Sequence, residues 1–165
     1  MNRTQTITIG VISNTKIREL ILSGLLILIP LTLSGPQLLV GSIVNLLLLL
    51  SAATSQSKTW WIKAAIPSLA AITHGVLFGF FTPYLLYLWP VITLGNWLYM
   101  RLSKNKLILA IITKTLVLWL GTLLLSQFKI VPQLIVSNMG VVQLVTATIG
   151  GLGATIFIIK LSKDE

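Results

Sequence analysis

Polar side chains recur inside otherwise apolar stretches of this sequence, and they are its best candidates for chemistry. The stretch 83–97, PYLLYLWPVITLGNW, carries no charge yet contains Pro90, Gly95 and Asn96. Lys114 stands in a second such stretch, LILAIITKTLVLWLG. A buried amide or ammonium needs a hydrogen-bond partner or a ligand. These positions therefore predict either contacts between helices or a binding site.

Three further polar residues could likewise form contacts between helices or belong to a binding site. Asn45 and Gln143 are amides that could each join two helices, or could converge as the polar wall of a small-molecule site. His74 is the one histidine of the chain. A single histidine without cysteine or acidic partners is not a metal site, so His74 is expected to form a hydrogen bond between helices, with ligand contact as the alternative.

The residues that catalysis would require are missing. The three acids, Glu19, Asp164 and Glu165, stand near the chain ends or beside an apolar run, so no carboxylate pair is available for acid–base catalysis or a proton relay. No glycine-rich phosphate loop and no cysteine are present. We therefore expect no enzyme activity, cofactor or metal, and a membrane enzyme using His74 or Lys114 is the least favoured function.

The composition predicts an integral membrane protein. Of the 165 residues, 55% are hydrophobic and 9% are charged, and the mean hydropathy is +0.96. A soluble domain of this size has too little interior for so much leucine and isoleucine, whereas lipid also solvates apolar side chains on the outside. The net charge of +9 is scattered between apolar runs and forms no stripe with aromatic residues, so nucleic acid is not an expected partner.

The apolar runs divide the chain into six segments near the roughly 20 residues that a bilayer-spanning helix needs. They cover Ile17–Leu33, Gln37–Thr54, Ile62–Phe81, Tyr84–Met100, Leu107–Gln127 and Leu134–Ile159. We expect an all-α, six-helix transmembrane bundle over residues 17–160, with a cytoplasmic segment 1–16 and a cytoplasmic tail 161–165.

The basic residues predict the orientation of this bundle. With both termini in the cytoplasm, every lysine and arginine falls on the cytoplasmic side except Lys129, outside, and Lys114, within a span. A multi-pass protein of the cell membrane follows. A cleaved signal peptide would leave five spans and fit the charges less well, and no small-x-small cleavage site follows the first segment.

Two features of the predicted spans have competing explanations. Lys114 lies about 10–12 Å beyond the start of its segment, so its ammonium either reaches back to the headgroups or faces the bundle interior and pairs with a ligand carboxylate or phosphate. Ala71, Gly75 and Gly79 recur every four positions. That spacing predicts a flat helix face, for packing within the bundle or for docking of a second protein.

Part of the sequence resembles the membrane-embedded S components of energy-coupling-factor transporters. The similarity lies in GPQLLVGSIVNLLLLL at 35–50, in Pro67 and His74-Gly75, and in TPYLLYLWPVITLGNWLYM at 82–100. The resemblance implies six helices, capture of a vitamin or other micronutrient from outside, and a complex with a membrane coupling subunit and two ATPase subunits. It covers about the middle half of the chain.

The resemblance also assigns positions. Gly35, Pro36 and Asn45 match the motif after the first helix, and Pro90, Gly95 and Asn96 match the motif of the fourth. The family's alanine-rich coupling face is not found on the first segment. Asn2 stands where cobalt and nickel members carry histidine, which disfavours a metal substrate. The candidate substrate-binding residues are Gln37, Asn45, His74, Trp89, Asn96, Lys114 and Gln143.

Two principal functions stay open on these grounds. One is a substrate-capturing subunit for a small polar or anionic nutrient, embedded in the lipid bilayer and energised by partner chains. The other is a small accessory or structural membrane subunit without a ligand, in which the polar residues only join helices.

Overall fold

A computed structural model of the chain describes residues 3–33, 35–75 and 79–163. Asn2 lies outside these ranges. Within them the protein is all-helical and contains no strand, as predicted. The helices are α1 (Arg3–Thr32), α2 (Gln37–Thr54), α3 (Trp60–His74), α4 (Leu85–Ser103), α5 (Leu107–Gln127), α6 (Gln133–Ser137) and α7 (Gln143–Lys163). A π-helical turn, Asn138–Val142, joins α6 to α7.

The helix bounds agree with the predicted segments to different degrees. The predicted bounds of α2 and α5 are confirmed at both ends. α1 begins at Arg3 and not at Ile17, so the helix continues through most of the predicted N-terminal segment. The last predicted segment is interrupted by the π-helical turn, whose wider winding the apolar periodicity did not indicate.

The predicted helix over Ile62–Phe81 is confirmed as far as His74 and is wrong in its last third. α3 ends at His74 because Gly75 adopts a left-handed conformation with φ of 72°, and its amide donates to the Ala71 carbonyl at 3.4 Å. This is the usual way in which glycine ends a helix. Gly79 also has a positive φ, of 56°. The predicted small-residue face of Ala71, Gly75 and Gly79 is therefore not a continuous helix face.

Among the described residues, three helical stretches are long and apolar enough to cross a membrane. They are Gln37–Thr54, Leu107–Gln127 and Gln133–Lys160. Large apolar side chains lie on their outer surfaces, including Ile108 at 75% exposure and Ile156 at 69%. An apolar exterior of this kind is compatible with a membrane protein, because lipid solvates what water would not.

α2 occupies the centre of the bundle. It packs against α1, α3, α4 and α7, and the contact with α7 is the most extensive. α4 packs equally closely against α5. One hydrophobic cluster holds the first four helices together. Its buried residues include Leu26 of α1, Leu48 of α2, Trp60 of α3 and Met100 of α4. α1, α3, α4 and α7 are thus arranged around α2. A cavity lined by polar residues of these helices would lie beside α2.

Candidate functional site

A cavity of about 80 Å³ lies beside α2, and every α-helix except α6 contributes to its wall. The predicted candidates that line it are Gln37, Asn45, Asn96, Lys114 and Gln143. Apolar side chains supply the rest of the lining, among them Val40, Leu85, Ile92 and Met139. Polar residues from α2, α4, α5 and α7 thus share one space.

The ammonium of Lys114 faces this cavity and is almost fully buried, with 3% of the residue exposed. Its Nζ donates a hydrogen bond to Asn45 Oδ1 and lies 5.0 Å from the centre of the Tyr99 ring. Both partners are neutral. The interpretation in which Lys114 reaches back to the headgroups is wrong, because its ammonium is held inside the bundle.

Asn45 connects three helices through its side-chain amide. Its Oδ1 accepts from Lys114 of α5, while its Nδ2 donates to Thr146 Oγ1 of α7 at 3.2 Å. Asn45 can reach α7 because Gly150 lets the two backbones approach closely. A Cβ built on Gly150 would lie 2.6 Å from Ser42 O and from Asn45 Cβ. The α2–α7 contact therefore positions Asn45, and Asn45 in turn holds Lys114.

Asn96 fixes a second side of the cavity. Its Nδ2 donates to the Ala64 carbonyl of α3 at 2.9 Å, and the residue is 3% exposed. Gly95 allows α5 to pack against this part of α4, since a Cβ there would lie 3.3 Å from Leu118 Cγ. Gly95 thus permits the close approach of α5, while Asn96 faces the interior of the bundle.

Each of the two glutamines that line the cavity is the first residue of a helix. Gln37, the first residue of α2, has a buried Nε2 that no residue in the described ranges accepts a hydrogen bond from. Gln143 begins α7 directly after the π-helical turn. That turn also places Met139 in the cavity wall. π-Turns occur frequently at functional sites because they redirect side chains locally.

The remaining two candidates, His74 and Trp89, are not among the cavity-lining residues. His74 is the last residue of α3 and is half-buried. Trp89 belongs to α4, and its Nε1 is buried without a hydrogen-bond partner among the described residues. Ligand contact by either residue stays a prediction, and the cavity does not favour it.

Two residues at the site, Tyr99 and Thr146, escaped the sequence analysis. Tyr99 places its ring beside the Lys114 ammonium and donates from its hydroxyl to the Ala147 carbonyl at 2.7 Å. Thr146 bonds to Asn45, and Gly150 allows that approach. The helical i, i+3 spacing of Asn96 to Tyr99 and of Gln143 to Thr146 was a usable signal, since such residues share a helix face.

The chemistry that this arrangement supports is recognition of an anion. An ammonium has three donors, and the described residues satisfy one of them, through Asn45. The one acidic side chain that the structure describes, Glu19, is on α1 and does not line the cavity. In the described part of the chain no group of three histidine, cysteine, aspartate or glutamate residues could hold a metal.

Comparisons of the chain with protein-family models, with curated proteins and with solved structures find no match.

Proposed function

We propose that this protein is the substrate-capturing membrane subunit of an importer of the energy-coupling-factor type, and that its substrate is a small anionic nutrient. Separate chains, a membrane coupling subunit and two ATPases, would supply the energy. The resemblance of residues 35–50 and 82–100 to S components supports this proposal. The chain's own cavity supports the anionic character of the substrate.

The observation that carries the proposal is the environment of Lys114. Burying an ammonium without a carboxylate partner is costly, and membrane proteins tolerate it chiefly where the charge meets a ligand or lines a functional path. Here the ammonium faces a cavity together with the amides of Asn45, Asn96 and Gln143. A carboxylate or phosphate in the cavity would accept from the free donors of Lys114 and from these amides.

In this proposal the chain crosses the cell membrane six times, with both termini in the cytoplasm. The six spans are α1, α2, α3, α4, α5 and the continuous stretch of α6, the π-helical turn and α7. Three stretches have the length and apolarity for this by themselves. α1, α3 and α4 pack against α2 and against one another, so they would cross beside it. The turn that joins α1 to α2 and precedes Gln37 would then face the outside, where a nutrient arrives.

The size of the cavity limits what it accepts without rearrangement. Pockets for drug-sized ligands measure about 300–1,000 Å³, against about 80 Å³ here. The space suits a charged group of a few atoms, such as a carboxylate or phosphate. A larger nutrient would insert its anionic group beside Lys114 and require α1 or the end of α3 to move outward.

Thermal unfolding in detergent tests the proposal. The purified protein is mixed in turn with inorganic phosphate and with a panel of carboxylate-bearing and phosphorylated vitamins and nucleobases. A ligand at about 100 times its Kd stabilises the folded state by about 2.7 kcal/mol, so a clear rise in Tm is expected with at least one anionic compound. The control variant is Lys106→Met, which removes an exposed lysine at the start of α5, the helix that carries Lys114. This variant should retain the rise in Tm.

The structural function keeps one observation in its favour. Asn96 already joins two helices and Asn45 three through side-chain hydrogen bonds, which is all that an accessory subunit would need. That function predicts no rise in Tm with any member of the panel. It also predicts that replacing Asn45 or Asn96 lowers stability and changes nothing else.

A further inference from the structure

A second site with cations shares no lining residue with the cavity and lies at the end of the bundle that carries the α2–α3 and α4–α5 connections. It surrounds a groove of about 430 Å³. We call this the basic groove, and its lining residues are Ser57, Lys58, Trp60, Trp97, Arg101, Lys104 and Asn105. Three of these seven residues are cationic, so the groove is strongly positive.

Two of the cations are placed by tryptophan rings. Lys104 Nζ lies 4.6 Å from the centre of the Trp60 ring, and Arg101 Cζ lies 5.2 Å from that of Trp97. Trp60 is itself held in place, since its Nε1 donates to the Ser55 carbonyl at 3.3 Å. Trp97 packs edge-on against Trp61, with ring centres 5.7 Å apart. The charges are therefore positioned by rings that leave their hydrogen-bond donors available.

No carboxylate in the described part of the chain neutralises this groove. Glu19, the one acidic side chain described, belongs to α1 and interacts electrostatically with Lys63 of α3. Lys58, Arg101 and Lys104 are exposed. The groove therefore presents three positive charges, indole rings and the polar side chains of Ser57 and Asn105 to whatever lies beside it.

We propose that the basic groove binds the phosphodiester headgroup of an anionic phospholipid. A phosphodiester accepts hydrogen bonds from lysine and arginine together, and basic pockets between membrane helices on the cytoplasmic side suit such headgroups. Tryptophans favour the same depth of the bilayer. The inference rests on the membrane placement in the proposed function and is independent of any ligand in the cavity.

Native mass spectrometry of the protein from mixed micelles tests this. The protein is equilibrated with equal amounts of phosphatidylglycerol and phosphatidylcholine, and the lipids that stay bound are counted. The wild type should retain phosphatidylglycerol at least about fivefold over phosphatidylcholine. Arg101→Gln with Lys104→Gln should lose most of this preference. Lys160→Gln, which removes an exposed charge from α7, should keep it.

A charge-preserving double variant, Arg101→Lys with Lys104→Arg, guards against mere misfolding, because it alters both ring contacts but should still prefer phosphatidylglycerol. Equal retention of the two lipids by the wild type would overturn the proposal. So would an equal loss in the Lys160→Gln control. Inorganic phosphate is added at matched ionic strength, and displacement of phosphatidylglycerol by low millimolar phosphate would identify a free-anion site and not a lipid site.

Discussion

The cavity and the basic groove use the same arrangement in two different settings. In each, a lysine ammonium lies about 5 Å or less from an aromatic ring, over Tyr99 in the cavity and over Trp60 in the groove. Neither site has an acidic partner in the described part of the chain. Lys114 is buried, whereas Lys104 is exposed. Burial decides what each charge can do.

The difference teaches how one chain can distinguish two anions. A buried charge is hardly screened by salt and admits only a small group that gives up its water, whereas an exposed charge acts at longer range and weakens as salt is added. The cavity should therefore bind only small anionic groups, whereas the groove should bind anions of different sizes. Changes at one site should leave the other intact.

The largest effect is expected from Lys114→Met. Truncating one partner of a buried, hydrogen-bonded charge pair costs about 2–5 kcal/mol, which corresponds to a loss in affinity of roughly 30-fold or more. The variant leaves Asn45 Oδ1 without this donor but also removes the cost of burying an unpaired charge, so the two effects on folding oppose each other. The variant should therefore fold and retain phosphatidylglycerol, yet lose the anion-dependent rise in Tm. An unchanged rise in Tm would show that Lys114 does not contribute to anion binding.

Gly150→Ala should give the next largest effect. The new Cβ would lie 2.6 Å from the Ser42 carbonyl oxygen, so α2 and α7 must separate. Overpacking of this kind costs about 1–3 kcal/mol, read as a lower Tm and weaker anion binding. Gly24→Ala is the matched control. No atom outside its own helix backbone lies within 4 Å of its Cβ position. Replacing this helical glycine by alanine should therefore raise the free energy of unfolding by about 0.5–1 kcal/mol.

Salt should separate the two sites without any mutation. Raising ionic strength from 0.1 M to 1 M shortens the Debye length from about 10 Å to about 3 Å. Phosphatidylglycerol retention should then fall several-fold, while anion affinity in the cavity changes by less than about twofold. Titrations at the two salt concentrations measure both quantities. Equal sensitivity at the two sites would remove the contrast between them.

Tyr99→Phe should have the smallest effect. It keeps the ring beside Lys114 but removes the hydroxyl that donates to the Ala147 carbonyl. The loss of one hydrogen bond costs about 0.5–1.5 kcal/mol, with little change in anion affinity. Tyr87→Phe, on the same helix but 56% exposed, should leave Tm unchanged. Chemical denaturation of both variants makes the comparison.

The parts that the sequence predicted are those that local signals determine. Pro36 and the charges before Leu107 bound α2 and α5 without help from the rest of the molecule. Gly75 was misplaced because a glycine every fourth residue fits a flat helix face and a left-handed helix end equally well. Local spacing cannot decide between them.

The site was predictable only in its separate members. Asn45, Asn96, Lys114 and Gln143 were recognisable as costly in an apolar run, and the structure brings them to one cavity. Their partners were not, because periodicity indicates which residues share a helix face but not which helices meet. That Thr146 approaches Asn45 depends on the close α2–α7 crossing at Gly150.

A double cycle of ligand charge against lysine charge tests the central claim most directly. The anionic compound that raises Tm most is compared with its neutral amide derivative, and each is titrated into the wild type and into Lys114→Met. If Lys114 holds the anionic group, the two changes should couple by at least about 2 kcal/mol. Additive changes, within about 0.5 kcal/mol, would contradict the assignment of Lys114 as the partner of an anionic substrate.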